Sequence, residues 1–293
     1  MTSLSLIEAP TAMPTEARER WTTSADPEPR VGDLWLLGWD GSALGLVVLT
    51  KVIDDYVLAY PVTLPTDAHF APAVLRDKTP LGAPLAIWPN LETGLGRHLL
   101  HRNFGNLLSQ RTLQLIRAYA EDGTDSPLPI SSGDYYADGN SDRFSELAGK
   151  MQALCFHTWP ASEDGDLVLS SDMLTNMQAN IAFMVETLGV AVPRAGELLR
   201  REAAPTADEV QKLAAAWHVT PDEVVAAGEN EGATVLTHPA FKALIEQVMA
   251  KSGDDEPTVR RRAQSEYTLA ARTSNLRDRQ ARMEAALRRL LND

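Results

Sequence analysis

Arg30-Val-Gly-Asp-Leu-Trp-Leu-Leu-Gly-Trp39 is the stretch on which the reading of the fold turns. From Asp33 to Trp39 it is too short for a typical helix, rich in large apolar residues, and follows a glycine, so it is predicted as a strand. Leu44–Val52 is a second strand and Asp55–Thr63 a third, joined by the turn-like Ile53-Asp54-Asp55. Leu85–Trp88 and Arg97–Leu100 are shorter strand candidates. Ser109 then caps a helix with Leu113, Ile116 and Ala120 on one face. Short strands at close spacing predict a small SH3-like β-barrel over residues 31–120.

On either side of this block the composition changes. Residues 1–30 hold Pro10, Pro14, Pro27 and Pro29 with few periodic apolar positions, and read as a flexible leader. Residues 121–142 are rich in Gly, Ser, Asp and Pro and read as a linker, with Tyr135 and Tyr136 as their only sizeable apolar bodies. Beyond it the period is helical. A short helix is predicted around Phe144–Phe156 and a loop over Ala161–Asp166. Leu174, Met177, Ile181, Met184, Val185 and Leu188 share a face, and Gly189 stands where a helix C-terminus takes a left-handed residue. Thr206-Ala-Asp-Glu209 is a capping-box pattern, and Thr220-Pro-Asp-Glu223 repeats it with proline at the first helical position. Phe241, Leu244, Ile245, Val248 and Met249 form a further stripe. Leu269, Leu276, Met283 and Leu290 recur every seven residues among arginines, predicting a basic C-terminal helix over 257–293 that packs back onto the protein. The whole is expected to be α+β: the barrel, an all-α helix-turn-helix-like region over 143–256, and that last helix.

The formal net charge of −13 is unevenly spread. Residues 1–128 carry 10 basic and 15 acidic side chains, residues 129–256 carry 8 and 21, and residues 257–293 carry 9 and 4. A polyanion is repelled by most of such a surface, so any contact with nucleic acid has to be local. The single cysteine, Cys155, suits a reducing compartment. No apolar stretch approaches the roughly 20 residues of a membrane span, and no basic-then-apolar secretory signal opens the sequence, so a cytoplasmic location is expected.

Residues 31–120 resemble the MazF/PemK family of small barrels, ribonuclease toxins of toxin–antitoxin pairs. The resemblance is carried by Arg30–Leu37, Leu46-Val-Val-Leu49, Tyr60-Pro-Val-Thr63 and the closing helix 109–120. Metal-free RNA cleavage needs an acid–base group and a cation facing the phosphorus. The resemblance implies an arginine before the second strand and a hydroxyl after the third. Here the first position is Asp40-Gly-Ser-Ala-Leu-Gly45, with no basic residue, while Thr63 is present. Arg76, Arg97, His98, His101 and Arg102 are the cations from which charge is available elsewhere in the fold. His98 and His101, three apart in an extended segment, fall on opposite faces and read as ordinary polar histidines, so neither a metal nor a cofactor is expected.

Residues 176–227 resemble the helix-turn-helix domain of phage-repressor (XRE) type, through Ile181–Val190, Pro193–Arg201, Ala204–Ala214 and His218–Val224. That resemblance implies a recognition helix over 192–202, with Arg194 on a guanine edge and Arg200 and Arg201 near phosphates. The leading expectation is a DNA-binding transcriptional regulator with a catalytically incomplete toxin-like barrel for sensing or partner binding. One alternative is an endoribonuclease using Thr63. The other is a non-catalytic interaction protein, with a protein partner or a second copy in place of duplex DNA.

Overall fold

The computed structural model describes residues 7–11, 13–22, 24, 26–54, 56–66, 72–122, 127–131, 140–158, 167–201, 203, 205–227, 231–273 and 279–292. The architecture is α+β, a curled antiparallel half-barrel followed by a mainly helical region. No helix among the described residues is long and apolar enough to cross a membrane. Contacts divide the chain into two units, Met1–Trp159 with Gly232–Asp293, and Pro160–Glu231.

The first unit is built on β1 (Asp33–Trp39), β2 (Ser42–Val52), β3 (Tyr56–Thr63), β4 (Val74–Arg76), β5 (Leu85–Ile87), β6 (Thr93–Gly96) and β7 (Leu100–Asn106). Their order is β4-β5-β3-β2-β1-β7, with β6 also paired to β3. Asp40 and Gly41, both at positive φ, form the two-residue turn that matches the twist of the β1–β2 hairpin. Side chains alternate across a strand, and here both faces are covered. Leu34, Leu36, Val48, Tyr60 and Val62 face one core, while Trp35, Leu37, Val47, Leu49, Val57 and Ala59 face another. The first core is closed by α1 (Thr15–Arg20) and α2 (Gln110–Asp122) through Ala17, Trp21, Leu113 and Ile116. The second is closed by α3 (Asn140–Cys155) through Met151 and Leu154.

Three expectations are corrected here. Within the 1–30 leader, Ile7, Ala17 and Trp21 are buried in the main core, and Trp21 Nε1–H donates to the Ile7 carbonyl at 3.2 Å. Three spaced anchors suffice to hold a segment that shows no periodicity. Residues 127–131 of the linker run along β4, with Leu75 N–H donating to Pro129 O and Ser131 N–H to Ala73 O, both at 2.8 Å. Tyr135, Tyr136 and the 161–166 loop lie outside the described residues. The strand candidate Arg97–Leu100 is a 3-10 turn leading into β7, whose polar His101, Arg102 and Asn103 are all buried.

The second unit is an insertion. It opens with β8 (Leu167–Leu169), continues through α4 (Ser171–Asn176), α5 (Ile181–Leu188), α6 (Val192–Leu199), α7 (Ala207–Trp217) and α8 (Pro221–Val224), and closes with β9 (Val225–Ala227), which pairs antiparallel with β8. The stripe 174–188 is broken between α4 and α5, where Gln178 takes φ +48° and the Asn180 side chain caps the new helix by accepting from Phe183 N–H at 3.0 Å. Gly189 ends α5 in the left-handed region. Both capping boxes form as the sequence predicts.

The chain then returns to the first unit as α9 (Glu231–Leu236), α10 (Lys242–Ser252), α11 (Glu256–Thr273) and α12 (Arg279–Asn292). The expected 143–256 helical domain is thus divided: α3, α9 and α10 belong with the sheet. An apolar stripe specifies that a helix packs, not which surface it meets. The basic C-terminal helix is two helices, with Met283, Leu287 and Leu290 buried against α10 and α11. Leu276 lies outside the described residues.

The β1–β2 turn is clasped by α11. Asp40 N–H donates to Glu256 Oε2 at 2.8 Å and Glu256 N–H donates back to Asp40 Oδ1 at 2.9 Å. Lys242 Nζ donates to Glu256 at 2.6 and 2.8 Å and to Gly38 O at 3.0 Å, and Arg260 Nη2 reaches Glu256 at 2.7 Å. Burial would raise the Glu256 carboxyl; the charges of Lys242 and Arg260 and the Asp40 N–H outweigh it and hold the pKa down to about 2. Glu256→Ala leaves two buried cations without their shared carboxylate, and is expected to cost about 3–5 kcal/mol. Urea denaturation followed by tryptophan fluorescence measures this; a loss under 1 kcal/mol contradicts it.

Candidate functional site

Thr63 closes β3. Its hydroxyl accepts from Trp88 Nε1–H at 3.0 Å and donates to the Leu64 carbonyl at 3.2 Å. Beside it lies a pocket of about 290 Å³ between Met13 and Trp21, the hairpin residues Leu36 and Leu46, and Thr63–Leu64. The cations considered for charge here are spent elsewhere. Arg97 donates to Asp54 O at 2.9 Å, Arg102 is fully buried and donates to Trp21 O, and His101 is buried against Glu246. None of them, nor Arg76, lines this pocket. Lys150, on α3, does. No sequence signal links Lys150 to Thr63, because the two meet only through the packing of α3 on the sheet.

A second pocket, of about 480 Å³, opens between Tyr56, the Gly94–Gly96 strand, Cys155 and His157, with His98 at its floor. His98 Nε2 and His157 Nδ1 lie at hydrogen-bonding distance, 3.1 Å. Both rings meet Trp39 edge-on, at centroid distances of 5.3 and 4.8 Å, while Lys242 and Arg260 lie 5.3 and 5.2 Å from the same ring. Gly96 is required by this packing, since a Cβ there would come within 2.4 Å of the His98 ring. Among the described residues no group of three or more His, Cys, Asp or Glu could hold a metal. A hydrogen-bonded neutral histidine pair can relay a proton or present a donor and an acceptor to a ligand.

In the inserted unit, Arg194 lies on α6 and is bound to α7. Its Nε donates to Glu209 Oε1 at 3.0 Å and its Nη2 to Oε2 at 2.8 Å, a bidentate pair. The side-chain hydrogen bond from Arg194 lowers the Glu209 pKa further than burial raises it. Glu209 also completes the α7 capping box by accepting from Thr206 N–H at 2.7 Å. The Arg200 guanidinium folds over Gly196, where a Cβ would approach Nη1 to 2.9 Å. Arg201 takes φ +57° just past α6 and is half-buried. Three large apolar side chains are exposed instead: Met177 (39%), Ile181 (45%) at the start of α5 and Val192 (58%) at the start of α6.

No family model, curated protein or solved structure matches the chain. The geometry therefore carries the functional argument alone.

Burial pushes the His98 pKa down to about 3, reinforced by the charges of Arg260 and Lys242 and by a second proton on the neighbouring His157 being unfavourable; burial lowers His101 and His157 as well. The unfolded chain takes up a proton at His98 near pH 6.5, while the folded chain does so only near pH 3. The contribution of His98 is therefore complete above pH 6.5 and falls as pH drops through that window, by up to about 1.4 kcal/mol per pH unit. Urea midpoints measured from pH 7.5 to 5 are expected to fall steeply for the native chain and less steeply for His98→Asn. An identical slope in the variant counts against His98 as the source.

Proposed function

We propose that this chain is a non-catalytic interaction protein whose inserted unit binds a basic, amphipathic protein segment. The observation that carries the reading is the exposure of large apolar side chains at the end of α4 and the starts of α5 and α6. Met177, Ile181 and Val192 are exposed in a unit that, over residues 160–231, has 13 acidic and 4 basic side chains. Exposed apolar side chains supply affinity, and the unit's acidic balance selects a cationic partner.

The helix-turn-helix resemblance fits the same elements: α5, the left-handed Gly189, α6, and the Thr206-capped α7. On that frame the start of α6 is the part that enters a major groove. A DNA-binding regulator is the second reading, favoured by Arg200, which is exposed at the end of α6. Two features weigh against it. Arg194 must leave a bidentate carboxylate to reach a base, and the unit's charge opposes a polyanion. The sheet with α2 fits a toxin-type frame, yet the segment Asp40–Gly45, where that resemblance implies an arginine before the second strand, holds no basic residue to assist Thr63, so the ribonuclease reading is set aside. A cytoplasmic location belongs with this proposal, in keeping with the single exposed thiol of Cys155.

Fluorescence anisotropy with labelled amphipathic helical peptides, Lys/Arg-faced or Glu-faced, and with a 30-base-pair duplex separates the readings. The basic peptides are expected to bind, at least tenfold more weakly to Val192→Glu and Ile181→Glu, while the acidic peptides and the duplex do not bind. Salt-sensitive duplex binding lost on Arg200→Ala overturns the proposal in favour of the DNA reading.

A further inference from the structure

We infer that the pocket beside Thr63 is a binding site for a small carboxylate with an apolar body, of the size of octanoate. The inference stands on the first unit alone and does not depend on the partner of the inserted one.

The walls are apolar and come from elements distant in sequence: Met13 and Trp21 from the N-terminal segment, Leu36 and Leu46 from the β1–β2 hairpin, and Leu64 after β3. Two of its lining residues carry polar side chains, Thr63 and Lys150, and no acidic side chain is among its described lining residues. An apolar enclosure with a few convergent polar groups is the usual composition of a small-ligand site. At about 30 Å³ for each water-sized group, this cavity holds about ten non-hydrogen atoms.

The polar pair fixes the charge and direction of the occupant. Lys150 is exposed on α3, so its ammonium is hydrated and can meet an anion without prior desolvation. The Thr63 hydroxyl receives the Trp88 indole N–H at 3.0 Å, which holds the oxygen in place. Its own proton is on a long 3.2 Å contact with the adjacent Leu64 carbonyl, and turning it toward a carboxylate exchanges a weak hydrogen bond for a charge-assisted one. An apolar tail along the leucine-lined cleft with its carboxylate toward Lys150 matches the one charged side chain among the described lining residues. A cation is refused by Lys150, and an alcohol forgoes that attraction.

The wall also has a structural corollary. Trp21 is 2% exposed and its carbonyl receives Arg102 from β7, so one side of the cavity is anchored to the core. The site is preformed, and binding is expected without a large structural change.

Isothermal titration of the full chain with octanoate, octanol and octylammonium tests the inference. Octanoate is expected to bind at least tenfold more tightly than octanol, and octylammonium not at all. Lys150→Gln, at an exposed position, is expected to weaken octanoate about tenfold and leave octanol unchanged. Ala43→Phe, on the exposed pocket rim, is expected to abolish both, with the circular dichroism spectrum of each variant unchanged. Absence of octanoate binding at millimolar concentration, equal affinity for octanol, or an octanoate affinity indifferent to Lys150→Gln each overturns it.

Discussion

A sheet that is apolar on both faces has no side to give to water, and most of the first unit follows from that. Along β1 every side chain from Asp33 to Gly38 is buried, with Leu34 and Leu36 turned one way and Trp35 and Leu37 the other. Each face requires a cover, and hydrophobic burial on the order of 1.5–3 kcal/mol for each such side chain drives its recruitment. The N-terminal segment and α2 serve one face, and α3 with the turn before β7 serves the other. The same requirement creates the pockets, since covers drawn from separate segments meet imperfectly at their margins. Thr63 and His98 each lie at such a margin.

The turn between β1 and β2 extends beyond the region those covers protect, and there the solution is electrostatic. Glu256 accepts from Lys242, Arg260 and the Asp40 backbone at once. Two cations share one carboxylate, the charge of buried Glu246 also favours the Lys242 ammonium, and Trp39 offers its ring to both cations. Burying ions costs several kcal/mol apiece, so the cluster adds little net stability while intact, although removing one partner leaves the others uncompensated. It also explains why His98 and His157 remain neutral: a further proton beside Lys242 and Arg260 would be repelled as well as desolvated.

Local signals in the sequence were reliable, and non-local ones were not. β1, β2 and β3 were legible because their residues are large and apolar. Gly189, Thr206-Glu209 and Thr220-Glu223 were legible because a cap is decided within four residues. Strand β7 was obscured by His101, Arg102 and Asn103, polar residues that enter the core only because Glu246, Trp21 and Asp33 meet them there. Of the candidate sites, Thr63 was visible as a position, whereas Lys150 and the His98–His157 pair were not. Arg194 was legible as a base-contact candidate; its partner Glu209 was legible only as a cap.

The β8–β9 ribbon has a consequence for how the first unit is assembled. Its two portions are separated in the chain by the whole inserted segment, and bringing distant portions together carries an entropy cost that grows with the length of the intervening coil. Pairing Leu167–Leu169 with Val225–Ala227 gathers the two ends of the insert side by side. Once that short ladder forms, the intervening coil is replaced by a folded body entered and left at neighbouring points. For the closure that returns α9–α12 to the sheet, the insert then counts as a short connection instead of a long coil.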